Sequence, residues 1–234
     1  MCLGHTHALS GIVTGLAVGS LVLHEHTGPL LLLAGLTAAY ALAPDLDHCG
    51  TTEARSFGFV TEIFAWCVEK ISGGHRHGTH SLLGIAAFTG AAWLACLFRH
   101  TVPGRVALFI ILAAGFASAM DALRIGGHAG NLLALAGAAV MCWNGYGLVL
   151  VPLAAALGTV THLAGDSLTR CGVPLLWPTT MREFHLLPRP LRFTTGHWPE
   201  HVIVTPLLLA ALAVLAWRDT GVMALVHGRI TLAP

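Results

Sequence analysis

Seven stretches of the chain, 8–23, 30–43, 82–98, 106–123, 130–143, 147–164 and 201–217, are almost free of Asp, Glu, Lys and Arg. An apolar helix needs roughly 20 residues to cross a ~30 Å hydrocarbon layer, so runs of this length and purity are candidate membrane crossings. Inside lipid each backbone N–H and C=O must be satisfied within its own segment, which restricts such runs to helices. Several of the seven fall short of a full span, and the pattern predicts six or seven apolar helices. The expected fold class is therefore all-α, a polytopic transmembrane helical bundle, and we read residues 1–234 as one membrane-embedded domain. Composition agrees: 55% of the 234 residues are hydrophobic and 10% are charged, against roughly 25% charged in an ordinary soluble domain. Mean hydropathy is +0.74.

The first stretch begins almost at Met1, with no Lys or Arg ahead of it and no small-residue cleavage pattern behind it. It is expected to persist as the first membrane helix rather than to be removed as a signal peptide. The six cysteines, Cys2, Cys49, Cys67, Cys96, Cys142 and Cys171, lack CxxC spacing, and several lie in apolar runs where a thiol behaves as a small hydrophobe. A formal net charge of +1 provides no broad basic field, which argues against a nucleic-acid partner. Histidine stands out, with 15 copies against 12 Lys plus Arg, and Lys70 is the one lysine. Imidazole is the commonest protein metal ligand and guanidinium pairs with phosphate and carboxylate, so the polar inventory favours a metal and an anion.

Polar residues concentrate in two interruptions, 44–80 and 165–200. In the first, Phe57, Val60, Phe64, Cys67 or Val68, and Ile71 recur at helical steps, predicting a short amphipathic helix along the interface or over a site. In the second, Pro174, Pro178, Pro188, Pro190 and Pro199 rule out a long helix and predict an ordered loop with short turns. With seven crossings, one membrane face carries Arg55, Lys70, Arg76, Arg124, Arg170, Arg182, Arg189 and Arg192, and the other carries Arg99, Arg105, Arg218 and Arg229. The positive-inside rule places the richer face in the cytoplasm.

That same face collects four polar clusters: His5 and His7, the stretch Pro44 to His48, the stretch His75 to His80, and His162 with Asp166. His162 and Asp166 are four apart, on one side of a helix, a spacing that lets imidazole and carboxylate share a metal, although a plain polar helix end would look the same. Asp45 and Asp47 repel each other unless a cation sits beside them, or they form an ordinary acidic turn after Pro44. Around His75, Arg76 and His80, Gly78 permits a tight turn, and Thr79 or Ser81 is placed to cap the next helix. Asp121 lies within an apolar run, where pairing with Arg124 is the simplest reading. His24, His26, His100, His128 and His227 belong to no cluster, and the tryptophans suit an interfacial belt. Together the clusters offer enough N and O donors for two zinc-like ions, with a metal-activated water as nucleophile and no need for serine or cysteine.

At these residues the chain resembles the YdjM-like, LexA-regulated, membrane-bound metal-dependent hydrolases. The matching pieces are Thr6 to Gly11 (THALSG), Leu42 to His48 (LAPDLDH), His75 to Gly84 (HRHGTHSLLG) and Thr161 to Pro178 (THLAGDSLTRCGVPLLWP), in order along most of the chain. The resemblance implies a metal-dependent hydrolase in a bacterial inner membrane, multi-pass, with fewer membrane helices than seven. It brings His7, Asp45, Asp47, His48, His75, His80, His162 and Asp166 as family positions and leaves His77 out. More distantly, the His162-x-x-x-Asp166 element is similar to one in zinc-dependent phospholipase C and P1-type nucleases, which implies a phosphoester substrate and more than one zinc.

The sequence thus predicts a hydrolase of a lipid or lipid-linked phosphoester at the bilayer surface. His7, Asp45, His48, His80, His162 and Asp166 are expected to bind metal, Asp47 to bind metal or act as general base, and His75 to ligate or move a proton. Arg76 is the expected partner of a substrate anion, ahead of Arg170 and Arg182. The expected cofactor is zinc, two or more ions, with manganese as the alternative. Two competing readings are a metal transporter or sensor and a membrane protein whose metal only braces the fold.

Overall fold

The computed structural model describes residues 2–23, 27–48, 58–125 and 127–219, with the side chains of Val60, Phe64 and Asp219 excepted. His24, His26, Cys49, Arg55, Phe57, His227 and Arg229, which entered the sequence reading, lie outside the described residues. Eight α-helices are present among those described: α1 (Gly4–Val22), α2 (Thr27–Tyr40), α3 (Phe59–Ile71), α4 (Leu82–Leu97), α5 (Val102–Ala122), α6 (Gly127–Asn144), α7 (Val151–Ser167) and α8 (Thr205–Asp219). All seven apolar stretches are helical. Among the described residues, four segments are long and apolar enough to cross a membrane by length and composition: Thr27–Asp47, Val102–Ala122, Leu148–Ser167 and Glu200–Arg218. The difference from six or seven has a physical reason at α4, whose 16 residues extend only about 24 Å.

Helix α2 is the centre of the bundle, held between α1 and α7 by small residues. A Cβ on Gly11 would stand 2.7 Å from Ala38 Cα, one on Gly15 2.6 Å from Ala34 Cα, and one on Gly19 2.6 Å from a Leu30 methyl. Three glycines spaced by four thus form a flat stripe along α1, and the descending partners on α2 show that the two helices run antiparallel. Without a hydrophobic drive between helices in lipid, such close backbone approach is a main source of association. Gly158 of α7 repeats the device on the other side, where a Cβ would meet Tyr40 Cβ at 2.6 Å. Thr161 of α7 also donates a hydrogen bond to Thr14 of α1 (3.2 Å). Outward faces carry exposed Leu21, Leu31, Trp93, Leu132, Val140, Leu207 and Val214, as expected of surfaces that meet lipid rather than water.

The amphipathic helix expected in the first interruption is α3, and it packs on the turn Ala43–Asp47. Its Phe59, Ile63 and Trp66 remain exposed on one face. The second interruption is the ordered loop that its prolines predict, pinned by isolated bridges between Thr169 and Phe193 and between Val173 and Phe184. Asp121 is linked to Arg124 through the backbone, with Arg124 N–H donating to the Asp121 carbonyl (3.0 Å), rather than through an ion pair.

Because α1 cannot retreat from α2 without moving His7 away from Asp45, helix packing and the polar end of the bundle are coupled. Gly15→Ala should therefore destabilise the protein by about 1–3 kcal/mol, the usual range for overpacking, and lower its capacity for metal. Gly35→Ala, at a position with no neighbour within 4 Å, should be neutral. Unfolding of both variants in detergent, with metal content measured in parallel, checks this.

Candidate metal centre

The two ends that α1 and α4 begin, and the two that α2 and α7 finish, lie together at one end of the bundle. His7 comes from the first turns of α1, and Asp45 and Asp47 from the turn Ala43–Asp47 after α2. His80 ends the short turn Gly78–His80 before α4, and His162 and Asp166 lie on the last turns of α7. All six side chains are buried.

His80 Nε2 and His162 Nε2 face each other at 3.2 Å. Asp45 Oδ1 is 3.5 Å from the first and 3.6 Å from the second, and Asp166 Oδ2 is 3.7 Å from both. Two ligands on a tetrahedral zinc, each bound at about 2.0–2.1 Å, stand roughly 3.3–3.4 Å apart. Five of the distances among these four donor atoms thus lie at 3.2–3.7 Å, close to the spacing of ligands around one small divalent ion. The tautomers suit it as well. His162 Nδ1 bonds to the Ala41 carbonyl (2.7 Å), which α2 leaves open where it ends, so Nε2 carries the lone pair. His80 Nδ1 faces Thr79 Oγ1 (3.0 Å) and Asp47 Oδ2 (3.5 Å), which again leaves Nε2 for the cage.

Electrostatics point the same way. Taking carboxylates out of water costs several kcal/mol each unless they are paired. Asp45, Asp47 and Asp166 are buried together, and among the described residues Arg76 is the permanent cation that reaches them, donating from Nη2 to Asp166 Oδ2 (3.0 Å) and to the Gly172 carbonyl (3.1 Å). A divalent cation beside Arg76 would offset much of that negative charge. Burial on its own would lower the His80 imidazole, but hydrogen bonds and charge from Asp45 and Asp47 outweigh it and push the group up to about 9. A cation entering the cage must displace that proton.

Asp47 stands one step outside. Its Oδ1 lies 2.7 Å from His75 Nδ1, and its Oδ2 accepts the Arg76 N–H (2.8 Å) and the Thr79 hydroxyl. It thus holds together the whole segment from His75 to His80, including Arg76, whose left-handed backbone (φ 64°) costs about 1–2 kcal/mol in a non-glycine residue. His75 is partly exposed. His48 is exposed and stands edge-on to His75, with ring centroids 4.7 Å apart, at the rim rather than within the cage. His7 stacks on His162 (centroids 3.8 Å, planes 16° apart), and its Nε2 lies 3.2 Å from Asp166 Oδ1. His5 stacks on His201 instead, away from the cage.

Residues without a motif complete the arrangement. Glu200, fully buried, accepts the backbone N–H of Leu3 (2.6 Å) and of Gly196 (2.7 Å), tying the start of the chain to the loop before α8. Cys2 is drawn in by that tether, and its N–H donates to Asp166 Oδ1 (2.8 Å). A lone cysteine and a lone glutamate give no periodic signal, and the one available clue is that Cys2 lies close in sequence to His5 and His7. Beside the centre, Leu82, Leu175, Leu176, Phe184, Arg182 and Arg192 line a cleft of about 570 Å³.

The fold and the site together define a membrane-embedded helical bundle with a candidate metal centre at one end. The chain belongs to the YdjM inner membrane protein family, whose model matches residues 1–232, and it is accordingly an inner membrane protein. Neither the curated proteins nor the solved structures contain a match to it.

Two outcomes follow from this geometry. Asp47→Asn should keep the fold but weaken metal binding about 10–100-fold, the usual effect of losing a carboxylate that orients a ligand, as read by competition with a chelating dye. Metal uptake should also release protons, so that apparent affinity rises with pH from the ordinary histidine range up to about 9, where His80 has lost its proton; affinity independent of pH over that interval would contradict the assignment.

Proposed function

We propose that the protein is a single-domain, multi-pass membrane enzyme that hydrolyses a phosphoester of a lipid or lipid-linked substrate with a divalent metal, most simply zinc. The observation that carries the reading is the cage formed by Asp45 Oδ1, His80 Nε2, His162 Nε2 and Asp166 Oδ2. When bound, such an ion supplies Lewis acidity toward a phosphoryl oxygen and makes a water molecule acidic enough to react near neutral pH. The residues around it take distinct parts. Asp47 positions His75 and His80. His75, fixed through Nδ1 by Asp47 and partly exposed, accepts a proton at Nε2 and passes it to solvent. Arg76 meets the anionic group of the substrate beside Asp166, its buried Nε having no hydrogen-bond partner of its own. The cleft next to Leu82 combines apolar walls with Arg182 and Arg192, whose two positive charges exceed the one negative charge of Glu183 in the same lining, a combination that fits an acyl chain below an anionic head.

The site opens on the face richer in Arg and Lys, which the positive-inside rule orients to the cytoplasm. A second reading, a metal that braces four helix ends, is favoured by one feature: the cage offers four protein donors, the number that structural zinc sites use.

Hydrolysis of a panel of phosphoester lipids in mixed micelles separates the two. The enzyme reading predicts turnover in the wild type and a loss on the order of 10²-fold or more in His80→Ala and Asp166→Ala, comparable to removal of a major electrostatic stabiliser. It also predicts that Arg76→Lys, which keeps the charge but not the planar fork, raises KM more than it lowers kcat. Absence of turnover in a fully metal-loaded wild type whose unfolding shifts sharply on chelation would favour the bracing metal.

A further inference from the structure

Asp166 has two oxygens, and only Oδ2 belongs to the cage. Its Oδ1 looks the other way, toward Cys2 and His7. Cys2 Sγ, a nitrogen of His7 and an oxygen of Asp166 come within 4.8 Å of one another, and all three residues are buried. His7 Nε2 is 3.2 Å from Asp166 Oδ1, yet it is buried without a hydrogen-bond partner, in a side chain 1% exposed. A buried imidazole nitrogen in that state is poised to take a ligand.

The surroundings keep this place open. A Cβ on Gly165 would stand 3.3 Å from His7 Cε1 and 3.9 Å from Cys2 Sγ, so the glycine before Asp166 leaves the width that both side chains use. Glu200 holds the Leu3 N–H (2.6 Å), and the short span from Leu3 to Cys2 thereby fixes where the thiol stands.

We propose that Cys2, His7 and Asp166 form a second metal seat, in which the Cys2 thiolate is a ligand and Asp166 bridges to the first ion, one carboxylate oxygen to each. The proposal rests on the metal centre described above and goes beyond it by adding a soft ligand and by giving a second ion its own donors. Sulfur with nitrogen and oxygen suits zinc or cobalt and disfavours magnesium, calcium and manganese, which take oxygen donors. The thiol proton passes to solvent when the ion binds. The three protein donors leave a fourth tetrahedral position for a water or a substrate oxygen.

Full-length protein in detergent, stripped and reloaded with cobalt and separately with zinc, tests this without reference to activity. Two ions per chain are expected, with a thiolate-to-cobalt charge-transfer band in the near ultraviolet and a zinc–sulfur shell at about 2.3 Å by X-ray absorption. Cys2→Ser should remove the band and one ion and retain the other. A single ion per chain with nitrogen and oxygen ligands alone would overturn the second seat while leaving the cage intact, and a band that survives Cys2→Ser would overturn the role of Cys2. No ion in the wild type would instead defeat the cage itself. The wild-type absorption spectrum gives its answer even if the variant fails to fold.

Discussion

Two imidazole nitrogens that face each other across 3.2 Å, flanked by two buried carboxylates, are the constraint around which this molecule is arranged. In a low-dielectric interior neither the carboxylates nor the facing nitrogens are stable alone, because each needs a positive charge between or beside it. A proton on His80 meets part of that need, and a divalent ion meets all of it. The outer contacts then read as means of holding the four donors still: Ala41 on His162, Asp47 and Thr79 on His80, and Arg76 on Asp166.

The bundle delivers those donors by bringing four helix ends together. Helix ends are where carbonyls and N–H groups go unpaired within the helix, which is why the Ala41 carbonyl is available to His162. The glycines of α1 and Gly158 of α7 let both helices close on α2, so that His7, Asp45 and His162 converge from three helices whose sequences are far apart. Membrane packing and site geometry are one problem here, solved by the same small residues.

Much of the centre was legible in the sequence because its residues come in tight local pairs. The spacing of His162 and Asp166, the PDLDH turn and the HRHGTH segment each put two or more polar groups on a helix end that apolar periodicity had already located. The single-face count then brought them to one side. Less legible was the sorting into layers: Asp45 and Asp47 are two residues apart in one short turn, yet one faces the cage and the other faces the segment that carries His80. That distinction depends on the path of residues 72–80, which no local pattern specifies. Cys2 and Glu200 were invisible for a different reason, since each acts alone through contacts nearly the length of the chain away. The glycine stripe at 11, 15 and 19 was readable as spacing, but its meaning depends on which helix lies opposite.

The most direct test of the cage is the position of the metal itself. Anomalous scattering at the zinc edge from crystals of the zinc-loaded protein should give a peak between His80 Nε2 and His162 Nε2, about 2.0–2.2 Å from each of the four donors. A peak confined to exposed histidines such as His48, with none among Asp45, His80, His162 and Asp166, would contradict the account.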